Sequence, residues 1–378
     1  MKLRTLIGGL LVLLVVGVLV SLWLAGGREG VETGSEPQRS SPSPLIDEDR
    51  LLSGGPPPDG IPPIDDPRFV PASDIDFLEG REPVLALSVG DEAKAYPLQV
   101  LTWHEIVNDT VAGTPVVVTY CPLCNTGIAF ARPRIDGQLL DFGTSGKLYN
   151  SNLVMYDRQT ESYWPQAMGK AVTGPLTGRE LEFIPTQILS FADWRREHPD
   201  GLVLTTETGF SRPYGENPYP GYDGSRSPFL FDGTPDERLP ALSRILGLVG
   251  EQGEVAVPFE RLAGQAKDGW TVLELSLGAE PVVVFWHAGT ASALDAEQIA
   301  QSRDVGAAAA FVPEVDGRAL SFSVGDEGIT DEETGTIWSI QGRGLDGPLE
   351  GEQLPRTLAI DSFWFDWAAF HPATRIAG

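Results

Sequence analysis

Cys121 and Cys124 are the only cysteines in 378 residues, and just two residues separate them in the run VVVTYCPLCNTG. A thiol pair at this spacing, with Pro122 stiffening the loop, suits three chemistries: clamping a metal, cycling as a dithiol, or locking as a small disulfide. A disulfide closing so small a ring removes only about 2 kcal/mol of chain entropy, so stability is a poor reason for it. In dithiol enzymes of the thioredoxin type the pair opens a helix. Here NTGIAFARP after Cys124 reads as a turn entering a strand, which ranks exchange below metal binding.

CPxC followed by Gly127 resembles the metal knuckles of rubredoxin and zinc-ribbon proteins, which use two knuckles to supply four thiolates. This chain has one knuckle, so a metal must recruit other ligands, and only four histidines are on offer: His104, His198, His287 and His371. His104, in WHEIVND ahead of the cysteine strand, is the candidate third ligand. The alternative is a buried histidine holding its helix in place. A Cys2His centre leaves a fourth position. Met155 from VMYDR as the fourth ligand favours copper, and water favours zinc. Glu105, Ser145, Lys147 and Tyr156 are the neighbours expected to complete a pocket. Ser145 and Lys147 lie in FGTSGKLYNSN, whose amides suit an anion or a carbonyl oxygen, although glycine loops are more often plain turns. Asp157 and Arg158 read as solvated charges at a hairpin tip, and Trp164 as core.

The elements that must position these residues recur within the chain. VLALSVGDEAKAYPL is answered by ILGLVGEQGEVAVPF, TPVVVTYC by EPVVVFWH, RIDGQLLDFG by EVDGRALSFS, DRQTESYW by DEETGTIW, and FADWRREHP by FWFDWAAFHP. Short apolar runs split by turn clusters read as strands, PLQVLTWHEIVND reads as a helix, and each half closes in a short helix stopped by proline. The expected fold is therefore α+β and β-rich, internally duplicated into two pseudo-symmetric halves. Residues 67–201 form the first repeat, with the knuckle, and 242–378 the second, without cysteines. In the second, His287 takes the place of Cys121 and Thr290 stands near that of Cys124. Between them, 202–241 is a connector rich in Tyr, Pro and Gly, read either as a lid or as a strap over the seam.

Thr5 to Ala25 form an apolar stretch long enough to cross a bilayer, and Lys2 and Arg4 before it send the remainder outward. Residues 1–27 are thus expected as a cytoplasmic stub and single-pass membrane anchor, with a cleaved signal peptide as the alternative. Residues 28–66 are expected as a disordered Pro/Gly/Ser stalk, and the folded part as extracytoplasmic. A net charge of −26 argues against nucleic acid as a partner and leaves an unspecified protein or small molecule.

WHEIVND, TYCPLCNTG, FGTSG, SNLVMYDR and TESYW together resemble the bacterial and archaeal family known as domain of unknown function 3179, from about Gly60 to the C-terminus. The resemblance implies no established reaction or ligand. It leaves His104, Cys121 and Cys124 at issue, with Ser145 and Met155 as neighbours. Three readings follow: a copper or zinc centre for metal handling or for redox or hydrolytic chemistry, a noncatalytic surface module with CPLC as a disulfide knuckle, and a dithiol exchange protein.

Overall fold

The computed structural model describes residues 42–250, 253–326 and 328–377. The expected anchor and the stalk up to residue 41 lie outside the described residues. Among those described, no helix is long and apolar enough to cross a membrane.

The protein is β-rich, with few and short helices. Strand β1 (Pro83–Val89) pairs antiparallel with β2 (Glu92–Pro97), and Pro97 then caps helix α1 (Leu98–His104). The chain continues into β3 (Ile106–Val111), β4 (Thr114–Cys121) and β5 (Thr126–Ala131), an antiparallel meander buried almost throughout. Such β-branched runs suit strands covered on both faces. Next come β6 (Phe142–Tyr149), β7 (Asn152–Asp157) and β8 (Tyr163–Pro165), again antiparallel. Strand β9 (Thr186–Ser190) returns to pair with β1 and leads into helix α2 (Phe191–Glu197). Leu202–Leu204 then pairs parallel with β2.

The same order appears again from Arg244. β10 (Arg244–Gly250), β11 (Gly253–Pro258) and α3 (Phe259–Gly264) precede the meander β12 (Trp270–Leu277), β13 (Glu280–His287) and β14 (Ala307–Phe311). β15 (Ala359–Phe363) pairs with β10 and leads into α4 (Trp364–Phe370), and Arg375–Ile376 pairs parallel with β11. The described residues form one compact unit. One hydrophobic cluster joins Leu85, Val117 and Trp164 to Ile245, Phe363 and Trp364, and a second joins Phe191 and Trp194 to Phe285 and Trp338. The two stretches thus share their cores.

The segment 42–66, expected to be an extended spacer, instead packs on this body. Leu52 and Ser53 pair with β6, Ile64 bridges to Val107, and Leu51 and Ile64 are buried. Its prolines dictate an extended path, but interleaved apolar residues give that path a surface to bury. Gly146 shows the intimacy: at φ 71° it passes so close to Pro56 that a side chain would collide with the Pro56 carbonyl.

Candidate functional site

β4 delivers Cys121 at its last position, directly opposite Thr126 at the start of β5. The loop between them is closed by Cys124 N–H donating to the Cys121 carbonyl (3.2 Å) and Asn125 N–H to that of Pro122 (3.3 Å), with Asn125 at φ 52°. Asparagine tolerates this left-handed conformation better than most residues. Both sulfurs therefore turn to one side and meet the tip of the β6–β7 hairpin. The Ser151 carbonyl lies 3.4 Å from Cys124 Sγ and 3.9 Å from Cys121 Sγ. Asn150 and Ser151 both have positive φ, as a two-residue hairpin turn requires. The two thiols are unbridged and buried, Cys121 with 2% of its surface exposed and Cys124 with none.

One carboxyl flanks the pair, and a second buried acid follows α1. Asp366, in the first turn of α4, hydrogen-bonds with Cys124 and accepts from Asn152 Nδ2 (3.1 Å) and Ser362 Oγ (3.0 Å). Burial pushes its pKa up to about 6, against the pull of those hydrogen bonds. Burial also pushes the Cys124 thiol up, helped by its hydrogen bond with Cys121 and by the Asp366 charge. Glu105 follows α1 at φ 60°, ψ −31°, is 8% exposed and has no hydrogen-bond partner for its carboxyl. Burial alone raises it to about 8, so at neutral pH it is a protonated acid. The half-buried Tyr219 lies within electrostatic reach of both Glu105 and Cys121.

The connector roofs the site. Tyr222 Oη donates to the Leu123 carbonyl at 3.0 Å, Phe229 N–H donates to Tyr222 Oη, and Ser151 Oγ donates to the Phe229 carbonyl. From the far side, Phe363 N–H donates to the Cys124 carbonyl at 2.8 Å, so the knuckle is clasped by the start of α4 as well.

Several expected members stand elsewhere. His104 is not a ligand partner of the sulfurs: its Nδ1 donates to the Pro62 carbonyl at 2.7 Å and its Nε2 accepts from Tyr214 Oη at 2.6 Å. Burial lowers its pKa, in keeping with a neutral ring spent at both nitrogens. Among the described residues, no three His, Cys, Asp or Glu side chains converge closely enough to hold a metal ion. The expected Cys2His centre is therefore not assembled here. Met155 is fully buried opposite Trp164 and falls on the other face of β7 from Asn152, which points at Asp366. Ser145 donates to the Val154 carbonyl and accepts from Lys147 N–H, stitching a bulge in β6. Lys147 sits 5.9 Å from the Tyr163 ring, and Tyr156 donates to Asp59 at 2.9 Å. FGTSG is thus a strand with a bulge rather than an anion loop.

Sequence reasoning missed Asp366, Ser151 and Tyr222. Asp366 carried a signal, because FADW and FWFDW place an aspartate at the same point of each closing helix. Asp193, the partner in FADW, accepts from His287 Nδ1 at 3.0 Å, and His287 is the residue aligned with Cys121.

The fold and the site define a β-rich protein whose buried dithiol lies under a connector and beside a buried carboxyl of raised pKa. The chain belongs to the family described as protein of unknown function DUF3179, whose profile matches residues 58–374. Comparison with curated proteins and with solved structures found no match.

Proposed function

We propose that this chain is a dithiol–disulfide exchange protein, with Cys121 and Cys124 as the redox pair and residues 219–231 as a roof that must lift to admit a substrate. The observation that carries this reading is the contact of Cys124 with Asp366, a buried carboxyl near the pKa needed to take a thiol proton and give it back. Cys121 keeps a trace of exposure and is the attacking thiol; Cys124 resolves. The oxidant is a small-molecule or protein disulfide. Cys121 attacks one of its sulfurs and releases the first thiol, then Cys124, its proton passing to Asp366, attacks Cys121 and releases the second. One S–S bond breaks, one forms, and the two thiol protons end on the two leaving sulfurs. In the closed state the raised Cys124 pKa keeps the pair inert, so the roof is part of the mechanism.

The domain works outside the membrane, tethered through Thr5 to Ala25, where an oxidising compartment supplies disulfides. The chain is internally duplicated, and one half has kept the thiols. The recurring order of elements supports this, as do the reciprocal aspartates: Asp366 of the second stretch serves Cys124 of the first, and Asp193 of the first serves His287 of the second. The metal reading keeps one form without His104, a soft copper(I) ion held by two sulfurs, favoured by their convergence on the Ser151 carbonyl.

The test is to equilibrate the full chain in detergent with glutathione buffers of graded potential and to follow the loss of two protons' mass at Cys121–Cys124. Reversible oxidation of the folded protein is expected, slowed at least about tenfold by Asp366→Asn and hastened by Tyr222→Phe. Thiols that oxidise only on unfolding overturn the exchange reading. Stoichiometric copper(I), lost in the Cys121→Ser, Cys124→Ser double variant, would favour the two-sulfur site instead.

A further inference from the structure

A cleft of about 650 Å³ lies between the connector, α3 and the turn after Arg303. That is the size of sites that take small organic molecules. Its floor is built around one carboxylate. Asp223, fully buried at its side chain, accepts from Arg244 Nη2 at 3.1 Å, Arg303 Nη2 at 2.9 Å and Ser292 Oγ at 2.6 Å. Burial alone would raise Asp223, but Arg244, Ser292 and Arg303 outweigh it and hold the carboxyl below its ordinary range. One anion thus orients two guanidinium groups at the same opening.

Neither guanidinium is used up. Arg244 spends Nη2 on Asp223 and Ser292 and lies over the Phe363 ring, while its buried Nε has no partner. Arg303 offers Nη2 to Asp223, has Nε 4.0 Å from Asp295, and is otherwise half-exposed. The rim carries Glu260, Arg261 and Asp304, and both Asp304 oxygens are taken by the Gly289 and Gly306 amides. The walls are apolar: Leu242, Pro258, Phe259 and Trp286. Asp223 already compensates the arginine charge, but the buried Arg244 Nε is left without an acceptor, and an anion entering the cleft would supply one.

We infer that this cleft binds a small carboxylate with an apolar body, its carboxylate on Arg244 and Arg303 and its body against Phe259 and Trp286. The site goes beyond the thiol chemistry and does not depend on it. Calorimetric titration of the full chain with benzoate, octanoate, acetate and inorganic phosphate tests it. Benzoate and octanoate are expected to bind at least about tenfold more tightly than acetate or phosphate, because only they bury apolar surface. Arg244→Gln is expected to weaken them by at least about tenfold. Should Arg244→Gln disturb folding, Ala263→Trp blocks the rim while leaving the ion pairs intact, and it is expected to abolish binding. Absence of benzoate and octanoate binding to the native chain, phosphate binding as tight as theirs, or unchanged binding in both variants would overturn the inference. The Cys121→Ser, Cys124→Ser variant is expected to bind normally, so failure here is separable from failure of the exchange reading.

Discussion

Glu105 concentrates two unfavourable features in one residue. A non-glycine residue at φ 60°, ψ −31° is strained, at a cost on the order of 1–3 kcal/mol, and Glu105 is also a largely buried acid whose charged form burial disfavours. Such combinations persist at functional positions, and this one lies within electrostatic reach of Tyr219. The unfolded chain releases the Glu105 proton near its ordinary pKa of 4.5, whereas the folded protein holds it up to about 8. Between those limits the native state binds the extra proton, so stability falls as pH rises from 4.5 to 8. Glu105→Gln removes this slope. Urea unfolding at pH 5, 7 and 8 should show a variant more stable than the native chain at pH 8, by on the order of a few kcal/mol, with the gap closing toward pH 5. Parallel profiles would show that water reaches the carboxyl. WHEIVND was legible as chemistry, but the roles within it were not. His104 faces Pro62 and Tyr214, contributions from 42 residues before and 110 residues after it in the chain, and no local spacing reports these. Nor does any propensity place a glutamate at positive φ.

At the scale of elements, two turns repeat atom for atom. Asp157 accepts from Thr160 N–H (2.6 Å), Thr160 Oγ1 (2.9 Å) and Trp164 Nε1 (2.9 Å). Asp331 accepts from Thr334 N–H (2.6 Å), Thr334 Oγ1 (2.8 Å) and Trp338 Nε1 (2.9 Å). The hairpin-tip aspartate expected in solvent is fully buried at Asp157, because its loop folds back and a core tryptophan needs an acceptor. Asp157→Ala and Asp331→Ala should each cost about 2–4 kcal/mol in urea unfolding, since each strands a buried indole N–H and opens a turn. A loss at one site with none at the other would weaken the case for duplication. The strand pattern was readable because alternation and turn clusters are local signals. The bulge at Ser145 was not, because a glycine loop and a bulged strand share a composition and only pairing to β7 separates them.

For the whole molecule, composition announced acidity without saying where protons are held. Burial raises Glu105 to about 8, Asp361 to about 7, Glu197 to about 7 and Asp366 to about 6. Asp193, Asp223 and Asp331 move the other way: burial opposes them, but hydrogen bonds and nearby cations win. None of this was visible in the sequence, since each shift depends on which of 53 acidic residues the shared core encloses. The consequences for folding have opposite signs. The raised group holds protons that the unfolded chain has lost, so its members erode stability as pH climbs from ordinary values of 3.8 for the aspartates and 4.5 for the glutamates to folded values of about 6 to about 8. The lowered group stabilises above its ordinary pKa of 3.8 and surrenders that stability as pH falls through its depressed folded values. Maximum stability should therefore lie at acid pH, about 4, where the two groups change over, and decline toward pH 8. Self-repulsion in a chain of net charge −26 deepens the decline, and salt screens that part alone. Thermal unfolding from pH 4 to 8 should show the melting temperature falling through neutrality at low salt, with added salt recovering only part of the loss at pH 8. Full recovery by salt would assign the decline to surface repulsion and would remove the buried carboxyls, Asp366 included, as holders of protons.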